Sequence, residues 1–161
     1  IPDYLLEAYT SLSAELLDQV QTAFDSAGTL RSIRLHGDCH PGNILWTDNG
    51  PHFVDLDDSR SGPAIQDICM LLSGNADEMR QQLEEFLEGY QTFNEFDYAS
   101  ILLIEALRTL RIMNYAAWIA RRWDDPAFPR AFPWYDSPRY WEEHILSLRE
   151  QAAAMNLPAL L

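Results

Sequence analysis

Two short segments limit the folds open to this chain more than any others: Leu-His-Gly-Asp-Cys-His-Pro-Gly-Asn-Ile-Leu at 35–45 and Phe-Val-Asp-Leu-Asp-Asp at 53–58. Each sets polar, chemically active residues at the end of a brief apolar run. The intervening Thr47-Asp48-Asn49-Gly50-Pro51 is turn sequence, so strands over 43–46 and 52–56 form a hairpin. Residues 31–36 alternate enough for a further short strand, ending at the Gly37-Asp38 corner. A small β-hairpin inside helical surroundings is the only sheet the sequence predicts.

Everything else reads as helix. Pro2 suits a first helical turn, with Leu5, Leu6, Ala8 and Tyr9 on an apolar side. A second helix is expected to start after Ser11 or Ser13 and to stop at Gly28. Beyond Pro63, apolar steps of three and four residues predict helices over 65–72, 76–93, 98–123 and 138–155. The stretch 123–134 is a proline-punctuated loop rich in Trp and Phe. The expected class is mainly α with a small β-hairpin, in one domain: a helical lead-in at 1–30, a polar loop and hairpin at 31–62, and a helical subdomain at 63–161.

The chain has 161 residues, 47% of them hydrophobic, enough to bury a core. Its net charge of −14 would repel phosphate backbones, which argues against a nucleic-acid partner. All 11 basic residues are arginine, and there is no lysine. Two cysteines, Cys39 and Cys69, are too few for a disulfide scaffold and fit a reducing compartment. No apolar run approaches membrane-spanning length, so no membrane partner is expected.

The polar residues make chemical sense together. Asp38 follows a strand and a glycine, on a loop that Pro41 and Gly42 keep from becoming helix. From there it can orient an incoming hydroxyl and accept its proton. Asn43, five residues on, offers an amide oxygen to a magnesium shell without adding a full charge. Asp55, at the end of the facing strand, returns beside Asn43 and can share the metal and, through it, nucleotide phosphates. The rival reading is a metal-dependent hydrolase with His36, Asp38 and His40 as zinc ligands. That leaves Asn43 and Asp55 without a role. Asp58 is expected to be solvated, Asp57 is open, and Arg60 pairs with one of them.

His36-Gly37-Asp38-x-His40-x-x-Asn43, with Phe53-Val54-Asp55, resembles the signature of the aminoglycoside phosphotransferase and choline kinase family, relatives of the protein kinases. The resemblance implies an ATP- and magnesium-dependent phosphotransferase. It places the catalytic base at Asp38 and the magnesium and nucleotide ligands at Asn43 and Asp55. Asp67 would support the loop by accepting backbone hydrogen bonds, and His36 and His40 would shape it. Longer runs, at 35–46, 53–72 and 121–134, resemble a bacterial branch of cytoplasmic, stress-response serine/threonine protein kinases. The acceptor would then be a protein, with a small alcohol such as choline, homoserine or an aminoglycoside as the alternative. A non-catalytic binding module on the same fold is a third reading. The aromatic region 123–141 either lines part of the acceptor cleft or covers the end of a helical core.

Such kinases also carry an N-terminal lobe with a glycine-rich phosphate loop and a lysine. None of the seven glycines forms such a loop, and about thirty residues precede the polar motif. The expectation is a C-terminal lobe whose partner is the missing N-terminal lobe of the same protein, and which has little activity alone.

Overall fold

The computed structural model describes Ile1–Leu161. In chain order its elements are α1 (Asp3–Ala27), β1 (Ile33–Leu35), β2 (Ile44–Thr47), β3 (Gly50–Phe53), β4 (Arg60–Gly62), α2 (Ile65–Ile68), α3 (Ala76–Gln91), α4 (Ile104–Arg121), α5 (Ala127–Ala131) and α6 (Pro138–Ala154). The chain is mainly helical, as its apolar periodicity predicts.

Two compact units emerge. One comprises Ile1–Ala23 and Glu105–Leu157, the other Phe24–Ile104 and Pro158–Leu161. In the first, Leu16, Val20, Ala106, Ala116, Ile119, Tyr135, Trp141, Ile145 and Leu148 are buried. Ala116, Ile119, Tyr135 and Trp141 form a cluster on which Leu5, Tyr9, Trp123, Phe128, Phe132 and Tyr140 pack. The Tyr135 hydroxyl donates to the buried Ala116 carbonyl at 2.8 Å. Most of the aromatic region 123–141 is thus helical-core cover, the second of its two readings. Pro126 and Pro129 do not leave it irregular, since α5 forms one turn within it.

The second unit holds both sheets. β2 and β3 pair antiparallel, Ile44 opposite Phe53 and Thr47 opposite Gly50. β1 pairs antiparallel with β4, Ile33 opposite Gly62 and Leu35 opposite Arg60. The β1–β4 ladder is absent from the sequence reading. Arg-Ser-Gly has neither length nor apolar alternation, and pairing with β1 alone makes it a strand.

Further differences lie in the helices. The expected break at Ser11 or Ser13 does not occur, and α1 runs unbroken for 25 residues. Leu5, Tyr9, Leu12, Leu16 and Val20 form a continuous stripe there, with neither Gly nor Pro to interrupt it. The Thr10 hydroxyl bonds back to the Leu6 carbonyl at 2.8 Å instead of capping. Residues 98–103 wind as a tight 3-10 turn before α4. Asn75 caps α3: its side chain accepts from the Asp77 and Glu78 amides, and the Glu78 side chain accepts from the Asn75 amide.

Candidate functional site

The polar loop is built from β1 outward. Leu35 is buried and anchors the strand end. The next two amides, of His36 and Gly37, donate to the two oxygens of Asp67 at 2.7 and 2.9 Å. Asp67 lies in α2, immediately after β4, so the β1–β4 ladder delivers it to the loop. Backbone amides bound to a carboxylate are charge-assisted and hold the corner stiffly.

Gly37 allows a second strut. It has φ +89, and a Cβ there would lie 2.1 Å from the Asp58 carbonyl oxygen and 3.0 Å from Arg60 Nε. Only glycine lets the 55–60 segment cross so closely over the loop. Arg60 ties that segment down, donating to the Asp58 carbonyl at 2.9 Å and to its carboxylate at 3.2 Å. Both side chains remain solvent-exposed. His36 makes the third tie. Its Nδ1 accepts the Asp38 amide at 3.3 Å, which leaves Nε2–H to donate to the Val54 carbonyl at 2.8 Å.

Asp38, Asn43 and Asp55 sit on this frame. Asn43 is buried and closes a 3-10 turn, Pro41–Asn43, just before β2 rather than starting the strand. Its Nδ2 donates to the Asp38 carbonyl at 3.0 Å and lies 3.5 Å from Asp38 Oδ2. No protein donor reaches the Asn43 amide oxygen. The Val54 amide donates to the Asn43 carbonyl at 3.1 Å, which sets Asp55 one residue from Asn43's partner.

Asp55 is corrected in one respect: β3 ends at Phe53, so Asp55 lies beyond the strand. It adopts the left-handed conformation, φ 60 and ψ 64, alone among the non-glycine residues, and its side chain caps nothing. A strained, exposed carboxylate with no structural task is a mark of function. The sequence held no signal for this left-handed backbone.

The donor set fits magnesium. It consists of an amide oxygen and a carboxylate, hard ligands of the type that leave positions open for water and phosphate. No group of three or more His, Cys, Asp or Glu side chains gathers to hold a metal, and both His36 ring nitrogens are engaged, so the zinc arrangement of His36, Asp38 and His40 is not assembled. Cys39 is buried, and burial, with Asp67 and Asp38, pushes its thiol up.

A family model described as "Phosphotransferase enzyme family" matches residues 2–104, which contain the whole of this site. The chain belongs to the phosphotransferase enzyme family. It is 50% identical over 160 residues to stress response kinase A of Escherichia coli O157:H7, covering 99% of this chain and 48% of that protein. It is 54% identical over 129 residues to a Salmonella typhimurium protein named serine/threonine protein kinase RdoA, covering 80% of this chain and 39% of that one. The chain spans about half the length of the first of these relatives. Among solved structures, a choline/ethanolamine kinase family protein from Mesorhizobium loti shares the fold. Its TM-score is 0.55 at 18% identity, over 93% of this chain and 52% of that one.

Proposed function

We propose that this chain is the C-terminal catalytic lobe of an ATP- and magnesium-dependent phosphotransferase that, in the intact protein, acts on serine or threonine hydroxyls of proteins. One observation carries the reading. Asn43 is clamped to Asp38 through its Nδ2, while its amide oxygen and the strained carboxylate of Asp55 are left without protein donors. The names of the relatives, kinase and serine/threonine protein kinase, favour a protein acceptor.

In this reading Asp38 orients the acceptor hydroxyl and takes its proton. Asn43 and Asp55 hold magnesium, which when bound neutralises charge on the nucleotide phosphates. Asp67, His36 and Gly37 keep the two loops in register. With no lysine in the chain, cationic contacts to the phosphates come from the rest of the intact protein. The exposed Leu45, Trp46, Phe53 and Leu56 around the hairpin suit cover by that remainder. No helix is long and apolar enough to cross a membrane. A cytoplasmic location is proposed from the resemblance to cytoplasmic stress-response kinases alone.

The intact protein is expected to lose phosphotransfer by roughly 100-fold or more on Asp38→Asn. Unchanged kcat in that variant removes Asp38 as the base. The fold shared with a choline/ethanolamine kinase family protein favours a second reading, a small alcohol acceptor. Radiolabel transfer from ATP to protein and metabolite panels separates the two. If magnesium-ATP fails to raise the melting temperature of the intact protein, a non-catalytic binding module is the better reading.

A further inference from the structure

We infer that His40 is a positioning residue for the Asp38 carboxylate, beyond any role in loop shape; the inference rests on the phosphotransferase reading of Asp38. The loop carries two imidazoles with the same internal logic and different targets. In each, Nδ1 accepts a backbone amide: Asp38 to His36 at 3.3 Å, and Gly42 to His40 at 3.0 Å. An imidazole whose Nδ1 accepts carries its proton on Nε2. His36 spends that proton on the Val54 carbonyl, a backbone tie. The Nε2 of His40 instead lies 3.5 Å from Asp38 Oδ2.

The place of the His40 ring is built into the chain. A Cβ at Gly42 would lie 2.7 Å from His40 Cε1 and 3.0 Å from Nδ1, so a side chain there would displace the ring from its present place. Asn43 Nδ2 stands 3.5 Å from the same carboxylate oxygen. Two N–H donors thus bracket Oδ2 from opposite ends of one 3-10 turn. Both contacts are long, as catalytic hydrogen bonds often are before substrate binds, and they shorten as the acceptor settles. A neutral donor beside Oδ2 restricts rotation of the carboxylate and aims it at the hydroxyl, with no proton leaving His40. Holding a reacting group in its productive orientation acts on kcat and leaves nucleotide binding alone.

The test uses the full-length protein in steady-state kinetics with ATP. His40→Ala is expected to lower kcat roughly 10- to 100-fold with the KM for ATP unchanged, and to cost no more stability than the one hydrogen bond from the Gly42 amide. His40→Gln, which can place its amide N–H near the position of Nε2, is expected to recover much of the loss. On an Asp38→Asn background, His40→Ala is expected to cost nothing further, because the group it positions is gone. The inference is overturned by full kcat in His40→Ala, by a Gln variant no better than Ala, or by equal losses on both backgrounds. Absence of ATP-dependent transfer in the wild-type protein overturns the phosphotransferase reading together with this inference, whereas an active wild type with an unaffected His40→Ala overturns this inference alone.

Discussion

At the scale of the residue, Gly37 is the tightest point of the site. Its φ of +89 and the Asp58 carbonyl, 2.1 Å from a would-be Cβ, leave no room for a methyl group. Gly37→Ala must push the 55–60 segment off the loop or unwind the corner. Native stability is expected to fall by about 2–4 kcal/mol from backbone strain and overpacking together. Urea unfolding measures this, and a loss below about 0.5 kcal/mol would mean that the two segments part freely. His144 makes the residue-scale prediction in the other unit. It is buried, its Nε2 has no partner, and rings of Tyr9, Tyr140 and Trp141 surround it. Burial lowers its pKa from the usual 6.5. Between that lowered value and 6.5 the unfolded chain binds a proton that the native chain refuses, so stability rises with pH and falls on acidification. His144→Phe is expected to flatten the fall of the melting temperature as the pH drops below about 6.5. A slope identical to wild type would assign the effect to other groups.

At the scale of the element, the hairpin and the β1–β4 ladder show what can be read from sequence. The hairpin was legible because its turn chemistry lies between its strands, and β2 and β3 pair across a two-residue loop. β4 was not, because its partner lies 25 or more positions away, and a Cβ at Gly62 would meet Leu35 Cδ1 at 2.9 Å and Gln66 Oε1 at 3.0 Å, contacts the local sequence does not reveal. Asp67 depends on that ladder. The resemblance implied its task of accepting backbone hydrogen bonds, and the geometry shows how α2 is delivered to do it. Among the helices, the bond from Tyr135 to the Ala116 carbonyl links the segment before α6 to α4. Burial pushes the Tyr135 phenol up to about 12, so it remains a donor throughout the neutral range. Tyr135→Phe keeps the ring and removes one buried hydrogen bond. A loss of about 1 kcal/mol is expected in thermal or urea unfolding, and no loss would mean that water satisfies the Ala116 carbonyl equally well.

At the scale of the whole molecule, charge and exposure point the same way. The chain carries 25 carboxylates and no lysine, and its candidate site adds Asp38, Asp55, Asp57 and Asp58 with Arg60 already paired. Such a site binds triphosphate weakly unless cations come from elsewhere. The hairpin next to it leaves Trp46 78% exposed, in keeping with an incomplete surface. The 161 residues alone are therefore expected to show little or no phosphotransfer, while the full-length protein, about twice as long in the first of the relatives above, transfers phosphate. ATP-dependent labelling by these residues at the rate of the full-length protein would contradict this.

The sequence by itself determined the helical class, the hairpin and the spacing of Asp38, Asn43 and Asp55, because apolar periodicity and turn residues act over a few positions. Only the tertiary structure decided how that set is held: Asp67 beneath the corner, the crossing of the 55–60 segment over Gly37, and the bond from His36 to the Val54 carbonyl. Each of these arises where segments distant along the chain press together, and no local propensity encodes the direction from which a distant neighbour arrives.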